Sequence, residues 1–243
     1  MDNSLYVGLS RQMTLQRALD VTANNLANVD TVGFKVESLM VETDALTPKS
    51  APSSDPINYV IDNGLARNFG QGGLEQSSSP LDVGIEGDGF FAVQTSDGVR
   101  YTRDGRFSID AKNQLVDHQG DTVQSAGGAP ISIDPQKGEL TIAKDGTLSQ
   151  AGKAVGKLGV SRFSNLAALK KQGDNLYDAG GASPTTASDV RLHQGMIERA
   201  NVQPVVEITH LIAITRAYER VSQMMSQTQD LSQSAIQRLG RAA

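Results

Sequence analysis

Two long apolar stripes, one at each end of the chain, limit what this sequence can fold into more than any other feature. Near the amino terminus Leu5, Gly8, Gln12, Leu15, Leu19, Thr22, Leu26 and Val29 advance by steps of three and four. Near the carboxyl terminus Leu211, Ile214, Tyr218, Val221, Met225, Thr228, Ser232, Ala235 and Leu239 do the same. An average period of about 3.5 residues puts one stripe along one side of each helix, and such a stripe needs another helix to cover it. Helices that pair with each other and with other copies satisfy both stripes. That points to an assembly protein and not to a catalyst.

The first helix has cap candidates in Asp2, Asn3 and Ser4, whose side-chain oxygens can accept from early unpaired N–H groups. Leu9 and Met13 broaden its stripe, and a helix over 4–29 is about 39 Å long. Gly33 is the expected stop, since it tolerates a left-handed conformation. The last helix is expected from Val205 to Leu239, about 52 Å, with Pro204 suited to its first turn. Its outer face carries Gln223, Gln227, Gln229, Gln233 and Gln237, which suits packing among many copies.

Between the helices the pattern changes twice. Residues 47–80 are rich in Pro, Ser and Gly and read as linker, with Tyr59-Val60-Ile61 and Leu65 as short apolar patches in strand or extended arm. From Leu81 short apolar runs alternate with Asp88-Gly89, Asp97-Gly98, Asp104-Gly105 and Asp145-Gly146, pairs that favour hairpin turns. Phe90-Phe91-Ala92-Val93, Ile131-Ser132-Ile133 and Leu140-Thr141-Ile142 are among the strands expected of an antiparallel β domain ending near Leu176-Tyr177. Asn165 to Lys171 can add one helical turn. The expected fold class is α+β: terminal helices paired as a coiled-coil core, an inserted all-β domain, and extended arms. The divisions are 1–46, 47–80, 81–180 and 181–243.

Composition narrows the chemistry. Net charge is −5 and the basic residues are scattered, so no cluster exists to neutralise phosphates and nucleic acid is a poor partner. The absence of cysteine removes disulfides, thiol catalysis and zinc thiolates. Asp2 stands where a signal peptide needs basic residues, and Leu211-Ile212-Ala213-Ile214 is far too short to span a bilayer. Neither a cleavable signal nor membrane insertion is expected.

Single residues have competing readings. Asn24, Asn25 and Asn28 are poor helix formers, and their amides either bond between helices and fix register or merely loosen a helix end. Gly33-Phe34 is either a turn and an anchor for a neighbour's pocket or a contact with the chain's own last helix. Gly87-Asp88-Gly89 mimics a dinucleotide-binding run, but the strand-like Phe90-Phe91 after it argues for a hairpin. His118, His193 and His210 lack metal-ligand spacing. Glu86 with Asp82 or Asp88 would be the acid pair of a wall-cleaving enzyme, with nothing evident to raise either pKa. No catalytic residue, cofactor or metal is expected.

Ala23-Asn24-Asn25-Leu26-Ala27-Asn28-Val29-Asp30-Thr31-Val32-Gly33-Phe34-Lys35 resembles the signature of the flagellar rod and hook family of axial proteins. Leu81 to Phe91, Tyr101-Thr102-Arg103-Asp104-Gly105-Arg106-Phe107, Gly173-Asp174-Asn175-Leu176-Tyr177 and Gly195 to Val202 with Arg216-Ala217-Tyr218-Glu219 resemble its later blocks, in order. Asn201-Val202-Gln203-Pro204-Val205 is similar to the family's proximal-rod members more than to its distal ones. Ala200 departs from the family's usual serine, and Ser183-Pro184 from its Ser-Gly. The resemblance implies a structural subunit of the proximal rod that transmits torque, with the distal rod as the alternative. It implies self-assembly, other rod proteins as partners, passage through the flagellar type III export apparatus and assembly in the periplasm. The subunit interface is expected at Leu5, Leu15, Leu19, Asn25, Leu26, Asn28, Gly33, Phe34, Leu211, Ile214, Tyr218, Val221 and Met225.

Overall fold

A computed structural model of the protein describes residues 2–46 and 57–241. The fold is α+β and divides into two compact units. Unit 1 comprises 1–27, 37–67 and 203–243; unit 2 comprises 28–36 and 68–202. The Pro- and Ser-rich stretch 47–56 lies outside the described residues, as do the cap side chains at 2–4.

Unit 1 holds helix α1 (Asp2–Ala27), strands β1 (Glu37–Leu46) and β2 (Ile57–Arg67), and helix α2 (Pro204–Arg241). Pro204 is the first residue of α2, where its missing N–H costs no helical bond. α1 ends at Ala27, six residues before Gly33. The Asn28 carbonyl accepts from the Thr31 amide at 3.1 Å and the Asn28 side chain from the Thr31 hydroxyl at 3.1 Å. Those local bonds compete with helix continuation and stop α1 early. β1 and β2 form an antiparallel ribbon from Glu37↔Arg67 to Leu46↔Ile57, with a bulge between Leu39 and Val41. Residues 57–67 lie in the expected linker, and of the two readings open for Tyr59-Val60-Ile61 and Leu65, strand or extended arm, they form strand.

Unit 2 is an antiparallel β structure. Its strands are β3 (Leu74–Gln76), β4 (Val83–Glu86), β5 (Phe90–Thr95), β6 (Gly98–Thr102), β7 (Ser108–Ile109), β8 (Leu115–Val116) and β9 (Thr122–Val123). They continue with β10 (Leu140–Ile142), β11 (Thr147–Gln150), β12 (Lys153–Lys157), β13 (Val160–Arg162), β14 (Lys170–Gly173) and β15 (Leu176–Asp178). The last are β16 (Thr185–Thr186), β17 (Arg191–Gln194) and β18 (Met196–Glu198). The main sheet runs β14-β15-β6-β5-β9-β8-β7, with β13 joining β5 and β16. A separate sheet is β10-β11-β12; β17 pairs β4, and β18 pairs β3. Residues 68–80, expected as linker, and 181–202, expected as an arm, thus belong to unit 2. They do so by non-local pairing: Ile197 faces Glu75, and Leu192 faces Ile85.

The run Phe90-Phe91-Ala92-Val93 is apolar throughout because β5 is covered on both faces. Phe91 and Val93 enter a core with Val83, Ile85, Phe107, Leu115 and Leu148. Phe90 and Ala92 enter a second core with Tyr101, Phe163, Leu169 and Tyr177. A short 3-10 turn at Leu166–Ala168 occupies the expected helical turn.

Two of the four Asp-Gly pairs make hairpins. Gly98 (φ 109°) follows the β5–β6 turn and Gly146 (φ 88°) the β10–β11 turn. The other two mark close approach instead: a Cβ on Gly105 would lie 1.8 Å from the Val83 carbonyl oxygen, and one on Gly89 would lie 2.5 Å from a Val160 methyl.

Candidate assembly interface

Within unit 1 the two helices pack on each other and α1 also packs on β1 and β2. They approach closely at Gly8, where a Cβ would stand 2.9 Å from Met225 Cγ. Every residue of the first stripe is buried or half-buried, with Leu15 and Thr22 buried and Leu5, Leu19 and Leu26 half-buried. Leu211, Ile214, Tyr218, Val221 and Met225 of the second stripe are only half-buried. Among the described side chains of α2, Glu207 alone is buried. A long helix with so little covered surface is incomplete as a packing element.

Both helices carry further apolar residues facing outward. Tyr6 (62% exposed), Leu9 and Met13 (66%) share the face of α1 opposite its stripe, at about 100° of rotation per residue. Val205 (77%), Ile208 and Ile212 share a second face of α2, and Met224 and Leu231 a third. Leu9 and Met13 therefore do not widen the inner stripe, as their spacing suggested. Arranged by face, such residues form patches that mark contact surfaces.

One polar knot fixes how the segments of unit 1 meet. Asn25, 2% exposed, donates from Nδ2 to the Glu37 carbonyl (2.7 Å) and to Glu207 Oε2 (3.1 Å). Its Oδ1 accepts from the Glu37 amide at 3.0 Å. Glu37 in turn accepts from Arg67 Nε at 2.7 Å. The amide thus bonds helix to helix and helix to ribbon. Glu207 also sits in the first turn of α2, where a negative charge meets the positive end of the helix dipole.

A second knot lies inside unit 2. Lys35 Nζ donates to Glu198 Oε1 at 2.6 Å and to the Gly70 carbonyl at 2.8 Å. The Gly72 amide donates to the same carboxylate oxygen, and Arg103 Nη1 donates to Glu198 Oε2 at 3.1 Å. The Lys35 and Glu198 side chains are 0% exposed. Burial pushes the Lys35 ammonium below its usual 10.5, against the opposing pull of Glu198. The Arg103 guanidinium also lies 5.1 Å over the Phe90 ring. Gly33 sits against this knot with φ 71°, and a Cβ there would stand 2.7 Å from the Arg103 carbonyl carbon and the Asp104 nitrogen.

Of the residues expected at a subunit interface, four are enclosed in their own chain. Phe34 is 1% exposed and lies under Lys171 Nζ, 4.6 Å from its ring centroid. Gly33, Asn25 and Leu15 are buried too. The segment 32–35 is drawn into unit 2, with the Val32 carbonyl held by Asn175 Nδ2 at 2.9 Å and the Gly33 amide by the Glu198 carbonyl at 2.8 Å. Asn28 serves the turn after α1. The sequence gives Lys35, Arg103, Glu198 and Glu207 no role; Lys35 and Glu207 are charges flanked by apolar residues, whereas Arg103 and Glu198 each stand beside another charge and carry no such signal.

The residues weighed for catalysis are arranged otherwise. Glu86 Oε2 is 2.7 Å from His193 Nε2, and this bond holds its carboxyl below the usual carboxylate range, the reverse of what a general acid needs. Asp82 accepts from the Ser77 hydroxyl. Gly87-Asp88-Gly89 runs into β5 and opens no helix. No described helix is long and apolar enough to cross a membrane.

Family models match three stretches of the chain. Residues 5–35 match one described as flagella basal body rod protein, 84–150 the flagellar hook protein FlgE/F/G D1 domain, and 193–238 the flagellar basal body rod FlgEFG protein C-terminal. A Caulobacter vibrioides protein named flagellar basal-body rod protein FlgF is 51% identical over 243 residues, 99% of each chain. This chain belongs to the flagellar basal-body rod protein family. Within that family it is most like proteins named FlgF: one from Mesorhizobium japonicum is 37% identical over 242 residues, 99% of each chain. A Bacillus subtilis protein named flagellar basal-body rod protein FlgG is 31% identical over 262 residues, 97% of this chain and 98% of that one. The rod-protein matches at 5–35 and 193–238 contain most of both helices and both members of the Lys35–Glu198 pair.

Proposed function

We propose that the chain is a structural subunit of the proximal part of the flagellar rod, which assembles into the axial shaft and transmits torque. The observation that carries this is α2, a helix of 38 residues with a single buried side chain among those described. α1 and α2 pair as a coiled coil, and neighbouring subunits complete the cover on their outward faces. Leu5, Leu19, Leu26, Leu211, Ile214, Tyr218, Val221 and Met225, half-buried in one chain, border that contact. Each polar contact between subunits is weak, so resistance to shear comes from many apolar interfaces acting together. Its partners are further copies and other rod proteins. It passes through the flagellar type III export apparatus and assembles in the periplasm. No enzymatic activity, cofactor or nucleic acid enters this role.

Identity to relatives named FlgF, higher than to the Bacillus protein named FlgG, favours the proximal position. The test is deletion of the gene followed by imaging of basal bodies and by tagging of the restored subunit. Base rings without a completed rod, and a tag in the proximal rod on restoration, are expected. Complete rods in the deletion strain would refute the proposal.

A further inference from the structure

A cavity inside unit 2 has a buried cation in its wall. Its volume is about 60 Å³, several times what one water needs. Phe69, Phe90, Phe163 and Leu166 line it together with Arg103, whose guanidinium lies 5.1 Å over the Phe90 ring. Phe90 meets Phe69 edge-on at 5.6 Å and Phe163 at 6.0 Å, so the walls brace one another. Asp88 and Arg162 complete the lining. Asp88 is exposed to water. Arg162 is already engaged, by the Asp189 carboxylate at 2.8 Å and the Asp88 carbonyl at 3.2 Å.

Arg103 is less well served. Its side chain is 2% exposed, and Nη1 donates to Glu198 Oε2 at 3.1 Å, but Glu198 also holds Lys35 at 2.6 Å. Two buried cations thus share one carboxylate, which leaves that cluster of three a net positive charge. Among the described residues, Arg103 Nε is the single buried side-chain nitrogen or oxygen without a hydrogen-bond partner. A buried donor left unmade is costly, and so is a buried charge without its counter-charge. Both deficits fall on one guanidinium, and that guanidinium borders a cavity.

We propose that this cavity is a binding site for a carboxylate carried on a short apolar stem. The carboxylate lies along the guanidinium edge that Glu198 leaves unused, where side-on pairing engages two N–H groups at once. It supplies an acceptor for Nε and the second negative charge together. The stem packs on Phe69, Phe163 and Leu166. Hydrocarbon walls favour such an organic acid over a hydrated inorganic anion, whose water shell they cannot replace. Nothing in this chemistry requires the rod role, and all of it lies in unit 2.

The test is titration of purified chain with propionate, following the Arg103 Nε–H and Gly89 amide resonances by heteronuclear NMR. Both should shift saturably with a Kd of about 1 mM. Propionamide, the same shape without the charge, should bind at least about tenfold more weakly, and chloride at equal ionic strength should shift neither. A short blocked peptide with one glutamate presents the same head and stem on another protein. Tighter binding of the peptide assigns the site to a neighbour's glutamate, and tighter binding of propionate to a free acid. Leu166→Trp fills the cavity from its apolar side and should abolish the shifts; Arg103→Gln should do the same, and Leu166→Trp decides if Arg103→Gln does not fold. No saturable shift with either acid, propionamide binding as well as propionate, or shifts that survive Leu166→Trp would overturn the site.

Discussion

Replacing Glu198 by Gln removes the carboxylate that bonds two buried cations, Lys35 and Arg103. Glu198 accepts from Lys35 at 2.6 Å, from Gly72 at 2.8 Å and from Arg103 at 3.1 Å, and both charged partners are at most 2% exposed at their side chains. The substituted amide keeps one acceptor and turns an N–H pair toward positive charge. Breaking a buried pair by removing one partner costs about 3–5 kcal/mol, because the remaining charge has neither water nor counter-charge. Unit 2 has roughly 150 residues, for which each kcal/mol moves the midpoint about 4 °C, so Tm should fall by about 12–20 °C. The assay is calorimetry of purified protein at pH 7, with Glu75→Gln as control. Glu75 pairs with Arg199 at 3.0 Å, next in sequence to Glu198 but exposed, and its loss should shift Tm by no more than about 1 °C. A fall of less than about 4 °C for Glu198→Gln would refute the claim that this knot organises unit 2.

Three further outcomes follow from the same geometry. Asn25→Ala strands the Glu37 amide and carbonyl and weakens the hold on Glu207, so helix content should melt earlier by about 1–3 kcal/mol in circular dichroism; Asn25→Asp should be worse, since it faces Glu207 with like charge. Gly33→Ala combines a left-handed backbone with a 2.7 Å clash against backbone atoms and should lower unit 2 stability by more than about 2 kcal/mol in urea unfolding. Burial lowers the folded pKa of Lys35 below 10.5, so between that value and 10.5 the unfolded chain binds more protons and stability rises with pH; below the folded value the penalty is fully present. The urea midpoint should carry this rising component as pH approaches 10.5, and Lys35→Met should abolish it.

Helix periodicity made the most of itself in the sequence. Leu5, Gly8, Gln12, Leu15, Leu19, Thr22 and Leu26 repeat every three or four positions because one face is covered, and their burial follows that spacing. The β run at Phe90 was equally readable, since four apolar residues in a row between the Asp-Gly pairs at 88–89 and 97–98 are too short and too closely bounded for a helix and fit a strand covered on both faces. The polar knots were not legible: Lys35 and Glu198 are 163 residues apart, and nothing local to either announces a partner. Asp-Gly pairs were ambiguous for a related reason. Gly98 needs its conformation and Gly105 needs its missing Cβ, yet both look the same in sequence. The β1–β2 ribbon was only half legible: β1 falls in the arm of 1–46 and β2 in the linker, with Tyr59-Val60-Ile61 and Leu65 open between strand and extended arm, because Pro- and Ser-rich 47–56 separates the two. Phe34 stays open in the sequence between an anchor for a neighbour and a contact with the last helix, because the segments that enclose it, Lys171 and Asn201 among them, come from distant parts of the chain.

In the proposed shaft, neighbours cover the outward faces of α1 and α2, and methionine oxidation reads that cover directly. Met13 is 66% exposed and Met224 53% exposed in the single chain. Peroxide converts accessible methionine to sulfoxide, and packing slows the reaction. Quantified by mass spectrometry, both residues should oxidise readily in purified monomer and at least about tenfold more slowly in intact basal bodies. Equal rates at Met13 and Met224 in the two states would mean that no neighbour covers these faces, and the assembly interface argued from them would be wrong.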